Sequence, residues 1–192
     1  EQCPDWTIEP DGTCYRCYVA VYEHHVTAAV AYGIYDYVKI TGDVDFLYSK
    51  GAEILTETAR FWASRCEYNK EQDRYEINQV TGPDEWHEPV NNNLYTNYLA
   101  RWNLRYVLSL LTAMKEEKTD AYRALVEKTG LTECEMETWR EVQAKMYLPR
   151  KEGTKLLEQF EGYFELDNVT IEQYDENDWP VRPEALKTKK AS

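Results

Sequence analysis

Between residues 81 and 97 the chain concentrates side chains that could carry chemistry: three carboxyls, an imidazole, an indole and three consecutive asparagines. Gly82 and Pro83 disfavour regular helix and strand geometry, so this stretch is predicted to be a loop. An apolar helical pattern resumes at Leu94. An asparagine at position 91, 92 or 93 could cap that helix by accepting from its free N–H groups. Loops supported by rigid elements commonly carry functional groups.

Glu85 is the candidate for proton transfer, because Trp86 follows it and a proline-stiffened turn precedes it. An aromatic wall disfavours the charged carboxylate through desolvation, so this carboxyl could keep its proton near neutral pH. Such a group can protonate a glycosidic oxygen. Asparagine amides and flat aromatic rings also suit sugar hydroxyls and the apolar face of a pyranose. Composition and spacing alone leave a second interpretation open, an acidic surface loop with an asparagine cap.

The composition limits the classes of partner. The 192 residues suffice for one domain with a core, and 22 basic against 35 acidic residues give a net charge of −13. This charge disfavours nucleic acid and anionic membranes as partners. We expect no membrane span and no signal peptide.

The five cysteines are odd in number and scattered along the sequence. Cys14 and Cys17 have CxxC spacing, but no second pair follows at zinc-finger spacing, so incidental thiols in a reducing cytoplasm are predicted. No metal site is expected at His24 and His25, because adjacent helical side chains diverge by about 100° and a third ligand is missing.

The positioning elements are predicted to be mainly helical. Apolar periodicity indicates helices over residues 23–40, 44–66, 94–115, 119–128 and 132–146. Gly42 is the predicted C-terminal cap of the first helix, and Thr132 with Glu135 predicts a capping box on the last. Residues 67–77 alternate around a polar turn and predict a short β-hairpin before the loop.

Two further features concern burial and the chain ends. The apolar residues whose three- and four-residue steps predict the first helix are Val26, Ala29, Val30, Gly33, Ile34, Tyr37 and Val38. The aromatic side chains Trp62, Trp102 and Tyr106 are interpreted as core rather than as a sugar platform. Residues 1–20 are predicted to be loop, and residues 148–192 an irregular acidic and aromatic segment.

The stretch Gly82–His87, followed by Val90–Asn97, resembles a motif of the maltose, kojibiose and trehalose phosphorylase family, glycoside hydrolase family 65. That motif reads approximately G-P-D-E-Y/W-H-x-x-V-x-N-N-x-Y-T-N. The similarity extends over nearly the whole chain, including residues 22–28, 41–43, 51–55, 58–65, 97–103 and 159–164. The resemblance implies that residues 1–192 are a fragment of an (α/α)6 barrel, a toroid, that forms part of a catalytic domain.

The resemblance also implies a mechanism, with Glu85 as general acid toward the oxygen of an α-linked glucobiose. Inorganic phosphate would attack the anomeric carbon from the opposite face, giving β-glucose 1-phosphate and glucose with inversion. Phosphate is already an anion, so no general base and no cofactor are expected. Asp84 is expected to orient the loop by accepting backbone N–H groups. The predicted substrate-binding residues are Glu23, Trp86, His87 and Asn93, with bracing of the loop as the alternative for the last two.

The family's donor-sugar stretch and phosphate ligands are not found in this sequence. The donor-sugar stretch is expected upstream of Glu1. The phosphate ligands are expected beyond Ser192, and the basic run Lys187–Lys190 is where the chain would approach them. We therefore expect the chain alone to be catalytically incomplete, and a homo-oligomer is possible for the full-length enzyme. Kojibiose- or maltose-type substrates are favoured over trehalose. A hydrolase of the same family, similar to acid trehalase, and a non-catalytic helical or glycan-binding fragment remain as alternatives.

Overall fold

The computed structural model describes residues 6–8, 12–16 and 18–181. Within them the helices are α1 (Val19–Tyr22), α2 (His25–Thr41), α3 (Val44–Phe46), α4 (Ala52–Arg65), α5 (Leu94–Glu117), α6 (Thr119–Thr129) and α7 (Glu133–Lys145). A wide π-helical turn, Leu47–Gly51, joins α3 to α4, and a 3₁₀ turn covers Tyr163–Glu165. The strands form two antiparallel hairpins, β1 (Trp6–Ile8) with β2 (Cys14–Arg16) and β3 (Glu67–Asn69) with β4 (Arg74–Glu76).

The five predicted helices are confirmed to within two residues at each end, although the second contains the π-helical turn. Their predicted ends are also correct. Gly42 has a φ of 70° and donates its N–H to Val38 O at 2.8 Å. Thr132 N donates to Glu135 Oε2 at 2.9 Å, and Glu135 N donates to Thr132 Oγ1 at 3.3 Å, which completes the capping box.

The prediction of loop over residues 1–20 is partly wrong, because β1, β2 and the start of α1 lie within it. Each strand has three residues. Alternation over three residues is too short to recognise as a strand pattern. Cys3 and Cys17 lie outside the described residues, as does the basic run Lys187–Lys190.

The core is built around α5, which packs against α2, α4 and α7. Its fully or nearly fully buried apolar residues recur at three- and four-residue steps: Ala100, Leu104, Val107, Leu111 and Met114. This spacing places them along one side of the helix, where α4 and α7 can cover them. None of the described helices has the length and apolarity needed to cross a membrane.

The apolar residues whose periodicity predicted α2 do not all lie on its buried side. Val26 and Val30 are about half exposed, at 52% and 49%, whereas Ala28, Ala31 and Ile34 are buried. Both sides of this helix are apolar, so periodicity alone does not indicate which side the neighbouring helices cover. The covered side has small residues, which allow close approach.

Of the three aromatic side chains predicted to be core, Trp62 is fully buried in α4. Trp102 and Tyr106 are half-buried on α5 and stack with ring centroids 5.4 Å apart and planes 8° apart. Tyr35 of α2 meets both rings edge-on. These rings therefore join α2 to α5.

The ends of three helices meet beside the loop. Arg65, the last residue of α4, donates from Nε to Nδ1 of His24 at 3.1 Å, directly before α2 begins. The same guanidinium donates to Asn78 O in the turn that leads to the loop. Since α5 begins directly after the loop, the helix-rich body presents the loop at one end.

Candidate active site

The loop is closed at its base by a pair of backbone hydrogen bonds. Val80 N donates to Val90 O, and Val90 N donates to Val80 O, both at 2.9 Å. Thr81 N also donates to Tyr22 O at 3.0 Å, and Thr81 Oγ1 donates to Glu88 Oε2 at 3.0 Å. Residues 81–89 are therefore held as one closed loop against the segment that precedes α2.

The three consecutive asparagines each accept a backbone N–H from a different residue. Asn91 Oδ1 accepts from Gln79 N at 3.0 Å, and Asn92 Oδ1 accepts from Ile77 N at 3.2 Å. Asn93 Oδ1 accepts from Thr96 N at 3.1 Å and caps α5. The predicted cap is thus confirmed at Asn93. Asn92 is fully buried and braces the turn before the loop, so it does not face a ligand.

Gly82 is required by the close approach of Asn93. A Cβ at Gly82 would lie 2.3 Å from Nδ2 of Asn93 and 2.7 Å from its Cγ. Asn93 is 2% exposed, and its amide group also donates to Gln159 O at 3.3 Å. The asparagine cannot move away without losing these hydrogen bonds, so only glycine fits at position 82.

Asp84 accepts hydrogen bonds from three directions. Its Oδ1 accepts from Trp86 N at 2.9 Å, and its Oδ2 accepts from His87 Nδ1 at 2.7 Å and from Gln159 Nε2 at 2.6 Å. Partial burial opposes ionisation, but these hydrogen bonds outweigh it and hold the pKa of Asp84 below its usual range. Asp84 is therefore ionised and orients the loop. This agrees with the prediction that it accepts backbone N–H groups.

His87 is 9% exposed, and its ring packs against the rings of Phe160 and Tyr163 at centroid distances of 5.3 and 6.4 Å. These contacts, with the hydrogen bond to Asp84, show that His87 braces the loop. Direct sugar contact by His87 stays a prediction.

Arg74 of β4 links the hairpin to the segment after α7. It donates to Glu76 Oε1 at 2.6 Å and to Glu161 Oε1 at 2.9 Å, and its guanidinium lies 3.5 Å from the centroid of the Tyr147 ring. Glu161 Oε2 accepts from Nδ2 of the buried Asn92 at 2.9 Å. The hairpin, the asparagine run and the 159–161 segment are thereby fixed to one another.

Glu85 and Trp86 do not form the predicted apolar environment. Glu85 is exposed, and its carboxylate has no hydrogen bond or ion pair with a described residue. Trp86 is 37% exposed. Adjacency to Trp86 in sequence therefore does not bury the Glu85 carboxyl.

Glu23 is connected to the loop through His25. Glu23 Oε1 lies 3.1 Å from His25 Nε2, and His25 Nδ1 lies 3.3 Å from Thr81 O. The His25 ring also meets Tyr95 edge-on at 5.5 Å. The neighbouring His24 is half-buried, and its pKa is lowered by this burial and by the adjacent Arg65.

A hollow of about 340 Å³ opens beside the loop, lined by Pro83, Asp84, Asn93, Leu94, Tyr95 and Gln159. Of the predicted site residues, Asn93 lines this hollow and His87 is connected to it through Asp84. Glu23 is connected to it through His25 and Tyr95. Glu85 and Trp86 do not line it.

Gln159 and Tyr95 are site residues that sequence reasoning assigned no role. Both lie within stretches that carry the family resemblance, and this resemblance was the only indication in the sequence that they belong to the site. Gln159 is 75 positions from Asp84 in sequence. No local pattern indicates a contact over that separation.

Comparison with known proteins gives one consistent result. The family model described as the glycosyl hydrolase family 65 central catalytic domain matches residues 1–192. The kojibiose phosphorylase of Caldanaerobacter subterraneus subsp. tengcongensis is 50% identical over 186 residues, which is 97% of this chain and 24% of that protein. The maltose phosphorylase of Bacillus subtilis is 35% identical over 159 residues, 83% of this chain and 20% of that protein.

A solved structure from the human microbiome, assigned provisionally as a kojibiose phosphorylase, is 31% identical with a TM-score of 0.70. The similarity covers 80% of this chain and 22% of that one. The prediction of a mainly helical fragment of an (α/α)6 barrel is therefore confirmed. The chain spans about a quarter of the length of these relatives.

Proposed function

Since the chain belongs to glycosyl hydrolase family 65, through its central catalytic domain, we propose that it is part of an inverting disaccharide phosphorylase. Glu85 is the general acid and inorganic phosphate is the co-substrate, with no cofactor. The observation that carries this proposal is the family match over the whole chain, because it includes the loop of Glu85. The hydrogen bonds of Asp84, Asn92 and Asn93 support the proposal, because they fix the loop that carries the general acid, and a general acid must be held in place.

In the proposed reaction, the Glu85 carboxyl donates its proton to the glycosidic oxygen as the bond from that oxygen to the anomeric carbon breaks. A phosphate oxygen forms a bond to the anomeric carbon from the opposite face. The products are β-glucose 1-phosphate and glucose, and Glu85 is left as a carboxylate. Because Glu85 is exposed in this chain, the bound disaccharide and the remainder of the full-length protein must exclude water from it.

The substrate is an α-linked glucobiose, and a kojibiose-type linkage is favoured over a maltose-type linkage. Identity to the kojibiose phosphorylase is 50%, against 35% to the maltose phosphorylase. The hollow beside the loop supports sugar binding, since it combines the amides of Asn93 and Gln159 with the ring of Tyr95. Glu23 and Trp86 are the further proposed sugar contacts.

We place the full-length enzyme in the cytoplasm. The described cysteines Cys14, Cys66 and Cys134 are free thiols, which supports a reducing compartment. Cys66 is largely buried, and this burial raises the pKa of its thiol to about 12, so it is unreactive.

The full-length protein is expected to cleave kojibiose faster than maltose or trehalose, and only when inorganic phosphate is present. The measurement is release of glucose and of sugar phosphate from each disaccharide, with sulfate at equal ionic strength as the matched control. Equal glucose release in sulfate and phosphate would support the hydrolase instead. Absence of cleavage for all three sugars would favour a non-catalytic protein.

A further inference from the structure

We propose that Gln159 is a positioning residue for the general acid, acting through Asp84. This inference rests on the role proposed for Glu85. Gln159 lies in the irregular segment after α7 and donates from Nε2 to Asp84 Oδ2 at 2.6 Å. The contact joins a residue distant in sequence to the residue directly before Glu85.

The two residues on either side of Glu85, Asp84 and Trp86, are hydrogen-bonded to each other. The carboxylate of Asp84 accepts the N–H of Trp86, the residue directly after Glu85, at 2.9 Å. Glu85 has no side-chain partner among the described residues. The backbone from which the Glu85 side chain extends is therefore fixed by the hydrogen bond between Asp84 and Trp86.

Gln159 can hold Asp84 because its own backbone is pinned to the start of α5. Its carbonyl accepts from Leu94 N at 2.9 Å and from Asn93 Nδ2 at 3.3 Å. The next residue, Phe160, is buried against the His87 ring. The amide of Gln159 is thus fixed with respect to the body of the protein.

An amide at this position is chemically specific. Asp84 Oδ2 already accepts from His87 Nδ1, so a second donor must share the same oxygen without adding a negative charge. A neutral amide does so and stabilises the ionised carboxylate. A carboxylate in place of the amide would repel Asp84 unless the two groups shared a proton.

The inference is tested in the full-length protein with Gln159→Leu and Gln159→Glu. Gln159→Leu removes the donor at similar size and is expected to lower kcat for phosphorolysis about tenfold to a hundredfold, with the KM for disaccharide changed less than about threefold. Gln159→Glu is expected to show a similar loss at about pH 8 and a several-fold smaller one at about pH 5, where its protonated acid can donate to Asp84.

Titratable groups near this pair include Glu85 next to Asp84, His87 on the same loop, Tyr95 on α5, and Tyr163 against the His87 ring. The same groups are present in the wild-type protein, so the comparison is the ratio of variant to wild-type kcat at each pH. Gln72→Glu adds the same charge at the exposed tip of the β3–β4 hairpin and is the matched control.

Unchanged kcat in both variants, with an active wild-type protein, would overturn the inference while leaving the proposed function intact. A loss in Gln159→Glu that is the same at both pH values, with a lowered unfolding midpoint, would also overturn it in favour of a purely structural role. An inactive wild-type protein would reject the proposed function, and the positioning role with it.

Discussion

Replacement of Glu85 by glutamine in the full-length protein is expected to lower kcat for phosphorolysis about a thousandfold, because general acid catalysis contributes about 10²- to 10⁴-fold. Glutamine has nearly the same size as glutamate but provides no acidic proton. Disaccharide binding is expected to persist, since Glu85 makes no hydrogen bond or ion pair with the described residues that hold the loop. The measurements are steady-state kinetics and the dissociation constant of the disaccharide.

A substrate whose leaving group needs little protonation distinguishes proton donation by Glu85 from its other possible roles. A 4-nitrophenyl α-glucoside releases a weakly basic phenolate that needs little protonation. The deficit of Glu85→Gln is therefore expected to be at least tenfold smaller with this substrate and phosphate than with the disaccharide. An equal deficit for both substrates would assign Glu85 to positioning rather than to acid catalysis.

Glu71→Gln is the matched control for this prediction. Glu71 is an exposed carboxylate at the turn of the β3–β4 hairpin, outside the candidate site. Its replacement changes the net charge by the same amount and is expected to leave kcat unchanged. If both variants lost activity equally, net charge would explain the result, and the assignment of Glu85 would fail.

Gly82→Ala is expected to destabilise the full-length protein by about 2–3 kcal/mol and to lower kcat, because the added Cβ would overlap the Asn93 amide. Displacing Asn93 removes the cap of α5, which alone contributes about 1 kcal/mol. It also opens the hollow that Asn93 lines. The measurements are the thermal unfolding midpoint and the kinetics of phosphorolysis.

A double-mutant cycle identifies the cause of that loss. In an Asn93→Ala background the amide that collides with the new Cβ is absent, so Gly82→Ala is expected to cost at least about 1 kcal/mol less than in the wild type. Additive effects of the two substitutions would show that Gly82 is required for another reason, such as its backbone conformation.

The elements that position the site were predictable because their signals are local. Gly42 ends α2, Thr132 and Glu135 form a capping box, and Asn93 caps α5, each within a few residues of the helix end concerned. The signal for the β3–β4 hairpin, alternation around a polar turn, was equally local. The family resemblance supplied the barrel architecture, which five helices alone do not specify.

The internal geometry of the site was less predictable, because it depends on contacts between distant segments. Asn92 and Glu161 meet across 69 positions, and nothing near either residue indicates this. The asparagine run has a composition suited to sugar binding, yet its side chains accept backbone N–H groups. One of these, the N–H of Ile77, would otherwise be buried without a partner. The exposure of Glu85 likewise follows from the path of the loop.

The most direct test of the proposed mechanism is the configuration of the sugar phosphate first formed by the full-length protein from kojibiose and inorganic phosphate. Proton NMR at early reaction times distinguishes the two anomers of glucose 1-phosphate. Attack by phosphate on the face opposite the leaving glucose predicts the β anomer. Formation of α-glucose 1-phosphate would contradict the inverting mechanism.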